Sequence, residues 1–128
     1  MANNNRKKIL LVDDSEVHLK IAEFQLKKEY EITSARSGKE ALEHLTHGLV
    51  PNLILLDILM PDMDGWETFG RLKAISLLHV VPIIFLSAVT EKDEIDRAYN
   101  MGAAGFVTKP YEEEDLLGMV KKVLDEKQ

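Results

Sequence analysis

No cysteine occurs among the 128 residues, so disulfides and thiolate metal sites are excluded. Positive charge is also short: Lys and Arg number 16 against 22 Asp and Glu, a net charge of -6. A nucleic-acid-binding surface would normally be basic, and this balance argues against one. No apolar run approaches the roughly 20 residues a membrane-spanning helix needs. The opening residues, Met1 to Lys8, are polar and lack the apolar core of a signal peptide. Linkers, low-complexity tracts and repeats finer than a strand–helix unit are missing too. A chain of this length fits one domain and can bury a core without staples. These absences predict a soluble cytoplasmic protein folded as a single domain over residues 1–128, with residues 1–7 a solvated lead-in that donates nothing to the core.

What is present is a set of short apolar runs that end on polar groups. Leu53 to Leu56 is unbroken and apolar, as a strand covered on both faces would be, and it stops on Asp57 before a turn marked by Pro61 and Gly65. Ile9 to Val12 stops on Asp13 and Asp14. Ile83 to Leu86 stops on Ser87, and Phe106-Val107 leads into Thr108, Lys109 and Pro110. Tyr30 to Ser34 alternates like an edge strand.

Helical patterns separate these runs. Ser15 is positioned to cap a helix with Val17, Ile21 and Phe24 along one face. Ser37 and Glu40 match a capping box ahead of Ala41, Leu42 and Leu45, with Gly48 as the stop. A third helix is expected from about Trp66 to Ile75, and Pro82 opens the next strand. Thr90 with Asp93 predicts a cap for a fourth helix ending at Gly102. A fifth, from about Glu112, puts Leu116, Leu117, Val120, Val123 and Leu124 on one face. Strand and helix thus alternate five times, which predicts an α/β fold with a parallel sheet and helices on both faces.

In open α/β sheets ligands bind beyond the carboxyl ends of the strands. Asp13, Asp14 and Asp57 would meet there and repel, each raising the others' pKa unless a positive charge offsets them. A hard divalent cation such as Mg²⁺ takes oxygen ligands, commonly one or two carboxylates completed by water and phosphate oxygens. Lys109 would add an ammonium and Ser87 a hydroxyl. Acids, metal, lysine and hydroxyl together suit a phosphoryl group, and a carboxylate can itself accept one as an aspartyl phosphate. Asp57, ending the strand placed centrally, is the best acceptor.

These residues resemble the receiver domains of two-component response regulators, chemotaxis receivers included, over Lys8 to Lys127. The resemblance rests on Asp13-Asp14, Asp57 followed by Met60-Pro61 and Asp64-Gly65, then Ser87-Ala88, Gly102-Ala103 and Lys109-Pro110. Each pair is weak evidence alone; all of them in order, each at a strand end, are specific. The resemblance implies strand order 2-1-3-4-5, for which the general rule on doubly wound folds cites a chemotaxis receiver of this same family. It implies a phosphoacceptor, Asp57, served by a histidine kinase or a histidine phosphotransfer protein. Mg²⁺, with Mn²⁺ as a substitute, would be held by Asp13, Asp14, Asp57 and the Leu59 backbone carbonyl, Asp14 more directly and Asp13 through water. Ser87, Ala88 and Lys109 would bind the phosphoryl group, with Ser87 the switch hydroxyl and Phe106 the switch aromatic. Phe106 lacks the hydroxyl of the tyrosine common there. A cis bond would precede Pro110, and the surface of the fourth helix, fifth strand and fifth helix would change on phosphorylation. Leu59 and Val89 would lie near the path of the hydrolytic water, where two apolar side chains should prolong the phosphorylated state.

Such a protein is a switch that assists its own phosphorylation and dephosphorylation rather than an enzyme turning over a separate substrate. Its downstream partner is a protein, with no direct nucleic-acid or membrane binding, and a phosphorylation-dependent homodimer is one compatible output. The alternative is a receiver-like interaction module that is not phosphorylated. A small-ester phosphatase is disfavoured by compact loops, and in the haloacid-dehalogenase pattern by Leu59 where a second acid is needed. A calcium loop fails because Met60 and Arg71 occupy its first and last ligand positions, and a phosphate loop fails at Thr33 and Glu40. His18, His44, His47 and His79 are scattered and expected at the surface or rim, while Trp66 and Phe69 are expected to pack.

Overall fold

The computed structural model describes residues 6–75 and 80–126. Met1 to Asn5, His79 and the last two residues of the expected final helix lie outside the described residues. Five strands and five helices alternate: β1 (Lys8–Val12), α1 (Glu16–Leu26), β2 (Glu31–Ala35), α2 (Gly38–Thr46), β3 (Leu53–Leu56), α3 (Gly65–Lys73), β4 (Ile83–Ser87), α4 (Lys92–Asn100), β5 (Gly105–Thr108) and α5 (Glu113–Glu126). The strands form one parallel sheet in the order β2-β1-β3-β4-β5, as expected.

Because side chains alternate across a strand, each inner strand feeds two cores. Leu10, Val12, Ile54, Leu56 and Phe85 face α2, α3 and α4. Ile9, Leu11, Leu53, Leu55, Ile84 and Leu86 face α1 and α5. Phe85 centres the first core, with the rings of Trp66, Phe69 and Phe106 at 5.2, 5.4 and 6.1 Å. Trp66 and Phe69 therefore pack, as their positions suggested, and Arg97 lies 4.1 Å above the Trp66 ring.

Helix termini follow the local chemistry with one correction. Ser15, Ser37 and Asp64 cap α1, α2 and α3 by accepting the amides of His18, Glu40 and Glu67. Gly48 and Gly102 follow α2 and α4 at φ of 106° and 107°, a left-handed conformation that costs a glycine little. Thr90, however, is not the cap of α4. Glu91 holds that position without a side-chain bond, and Asp93 and Glu94 in the first turn supply the favourable charge instead.

The larger correction concerns α1. Val17, Ile21 and Phe24 share a face, but that face is exposed, at 65%, 48% and 60%. Leu19, Ala22 and Leu26 are the buried set. The helix carries two apolar stripes on opposing sides, and the turn set by Ser15 presents the second to the sheet.

The turn after β3 is held by close backbone packing. The Gly65 amide donates to the Ile58 carbonyl at 2.8 Å, and a Cβ on Gly65 would lie 2.3 Å from the Asp57 carbonyl oxygen and 2.5 Å from the Ile58 Cα. Gly65→Ala is expected to destabilise the protein by about 1–3 kcal/mol through overpacking. A urea midpoint equal to that of the wild type would show that the turn shifts freely.

Candidate functional site

Ladder hydrogen bonds continue past the strand ends and fix the polar residues that follow. The Asp13 amide donates to the Ala35 carbonyl at 3.0 Å and the Asp57 amide to the Val12 carbonyl at 2.9 Å. Across the sheet the Lys109 amide donates to the Ser87 carbonyl at 2.9 Å. The backbone thus fixes Asp13 and Asp57 at the ends of β1 and β3 and Lys109 beyond the end of β5, before any side chain is considered.

Asp13, Asp14 and Asp57 each offer a carboxylate oxygen, and these lie within 4.8 Å of one another. Asp13 and Asp57 are buried whereas Asp14 is exposed. Lys109 bridges the buried pair: its Nζ is 2.5 Å from Asp13 Oδ2 and 3.5 Å from Asp57 Oδ2, with its side chain only 10% exposed. The other Asp13 oxygen accepts the Ser15 amide at 2.9 Å. The Leu59 amide lies 3.4 Å from Asp57 Oδ1. A compact group of hard oxygen donors, over-supplied with negative charge, fits a divalent cation such as Mg²⁺.

Burial pushes the Asp57 carboxyl above the ordinary carboxylate range; Lys109 opposes this, and the Asp13 charge adds to it. Ser87 also helps pull Asp57 down, yet its Oγ is fully buried and makes no hydrogen bond among the described residues. We read the hydroxyl as a dipole near the carboxylate, not bonded to it. A buried hydroxyl without a partner is costly.

The remaining expected residues fall around this centre. Ala88 is exposed directly after Ser87. Phe106 is half-buried on β5 and packs against the core beside Phe85. The Lys109–Pro110 bond is cis. Leu59 is 59% exposed, but Val89 is buried in the core at 9%, so of this pair only Leu59 is open to solvent. His44 lies on α2 with Nε2 3.6 Å from Glu40 Oε2, and His47 at its end with Nδ1 2.8 Å from the Glu43 carbonyl. His18 is different: its Nδ1 is 2.9 Å from Lys109 Nζ. Sequence reasoning grouped it with the scattered histidines, and spacing alone gives no hint of a contact across 91 residues.

A family model described as the response regulator receiver domain matches residues 9–121. The chain is 34% identical to Protein PilG of Pseudomonas aeruginosa over 117 residues, covering 89% of this chain and 84% of that protein. It is 31% identical to the Probable transcriptional regulator ycf29 of Porphyra purpurea over 116 residues, covering 91% and 55%. The chain thus spans little more than half of that relative's length. The solved structure of chemotaxis protein CheY4 of Vibrio cholerae superposes with a TM-score of 0.86 at 29% identity, covering 92% of this chain and 98% of that one. Fold, site and these likenesses define a class: the chain belongs to the response regulator receiver domain family.

The raised Asp57 pKa carries a stability consequence. A carboxyl whose folded pKa lies above its unfolded value contributes stability below the unfolded pKa, lost as pH rises through the folded one. Asp57→Asn is therefore expected to stabilise the metal-free protein at neutral pH, with the gain shrinking as pH falls into the ordinary carboxylate range. Urea unfolding of both forms across pH checks this; a mutant less stable at neutral pH would contradict it.

Proposed function

We propose that the chain is a phosphorylation switch in which Asp57 accepts a phosphoryl group from a histidine kinase or a histidine phosphotransfer protein. The observation that carries this reading is three clustered carboxylates with a nearly buried lysine bridging two of them. Asp13, Asp14, Asp57 and the Leu59 carbonyl would hold Mg²⁺. When bound, the ion offsets charge between the carboxylates and the phosphoryl oxygens.

The chain's own groups do the rest. An Asp57 carboxylate oxygen attacks phosphorus, the phosphorus–nitrogen bond of the donor phosphohistidine breaks, and its electron pair returns to the imidazole. Lys109 stabilises the charge on the transferring group. Ser87 gains an acceptor for its unpartnered hydroxyl. The added charge, about -1.5 to -2, biases the surface of α4, β5 and α5 between two states, with Phe106 as the coupling aromatic. Moving such an equilibrium from 1:99 to 99:1 needs about 5.5 kcal/mol of differential interaction. The exposed stripe of Val17, Ile21 and Phe24 on α1 offers the donor protein an apolar footing beside the cleft. The output is contact with a protein partner, a phosphorylation-dependent homodimer included, without turnover of a separate substrate.

Intact mass after exposure to acetyl phosphate and Mg²⁺ tests the reading. One phosphate is expected on the wild type, and none on Asp57→Asn or without Mg²⁺. Metal binding without any adduct on the wild type would instead make this a binding-only module. Leu59→Asn is expected to accelerate loss of the phosphate several-fold by admitting water, measured by mass after removal of the donor; an unchanged lifetime would remove Leu59 from that role.

A further inference from the structure

We propose that His18 is a positioning residue that holds the Lys109 ammonium on the Asp13 side of the site, 3.5 Å from Asp57, in the unphosphorylated state, an inference resting on the phosphoacceptor reading above. His18 lies in the first turn of α1, where Ser15 Oγ accepts its amide at 3.2 Å and fixes its backbone. Its half-exposed ring puts Nδ1 2.9 Å from Lys109 Nζ and 3.8 Å from Asp13 Oδ2. An ammonium has three donors and no acceptor. Nδ1 is therefore the acceptor of this bond, and the ring proton sits on Nε2.

Lys109 is then held by two short bonds. Two of its N–H groups bond Asp13 and His18, at 2.5 and 2.9 Å, and Asp57 Oδ2 stands 3.5 Å away as an ion-pair partner. The two short contacts draw the ammonium toward α1, and the long one is to the carboxylate that is to carry the phosphoryl group. Placing Lys109 on phosphoryl oxygens requires the His18 contact to break. Water replaces it only in part, because the lysine side chain is 10% exposed. His18 thus opposes phosphorylation by stabilising the resting arrangement, and it does so without touching the reacting atoms.

The test compares wild type with His18→Leu and His18→Ala, which lack an acceptor, and His18→Asn, whose Oδ1 stands where Nδ1 does. Hydrogen bonds to charged groups are the stronger ones, and loss of a half-exposed one should raise the rate of Asp57 labelling by acetyl phosphate with Mg²⁺ by about 3- to 10-fold. His18→Asn should restore the wild-type rate, which a merely structural role would not predict. A second readout needs no phosphate: acetylation of Lys109 by acetic anhydride in metal-free protein, followed by peptide mass, should be faster in the Leu and Ala variants than in wild type or Asn. Equal or slower labelling in whichever acceptor-free variant folds would overturn the proposal. If the wild type takes no phosphate at all, the phosphoacceptor reading fails, and Lys109 acetylation alone decides whether His18 holds the lysine: unequal rates support it, equal rates overturn it.

Discussion

Two carboxylates buried beside each other and held by one ammonium set the terms for this molecule. Asp13 and Asp57 are almost without solvent, and removing like charges from water raises the cost of both. Lys109 meets that cost from the far side of the cleft, bonded to one acid and paired with the other. The arrangement leaves a surplus of negative charge once Asp14 is counted. Such a surplus on hard oxygen donors suits a divalent cation.

The fold supports this charge balance through backbone, which is why it is precise without a large pocket. Parallel pairing carries Asp13 next to Ala35, Asp57 next to Val12 and Lys109 next to Ser87. Gly65 lets α3 start hard against the end of β3, where any side chain would strike the Asp57 and Ile58 backbone. On the two faces of the sheet, separate cores built on alternating strand residues hold the strand ends rigid. Rigid strands with short loops are a good platform for positioning a few reactive groups. Ser87 and His18 are the members with slack: one is a hydroxyl lacking a partner, the other a partner that must be surrendered.

The legible parts of the sequence were those governed by local rules. Leu53 to Leu56 ending on Asp57 reads as a buried strand because nothing polar interrupts it. The capping serines Ser15 and Ser37 read correctly because a cap is decided within three or four residues. Thr90 misled because Glu91, one residue later, already has its carbonyl accepting the Ile95 amide, and a cap shifts by one residue on small differences in backbone path. Val17, Ile21 and Phe24 misled for a stronger reason. Leu19, Ala22 and Leu26 form an equally good stripe, and helical periodicity cannot rank two stripes on one helix.

By itself the sequence determined the order of strands and helices, the residues that terminate each strand, and the excess of acid over base at one edge. Those follow from hydrophobic runs, turn residues and charge, all readable along the chain. Only the tertiary structure decided which side of α1 is buried, that Val89 lies in the core while Leu59 stands in solvent, that Ser87 has no partner, and that His18 reaches Lys109. Each of these depends on groups brought together from distant parts of the chain, 91 residues apart in the last case. A one-dimensional pattern fixes what a segment prefers, whereas the partner that satisfies it is chosen by the packing of the whole.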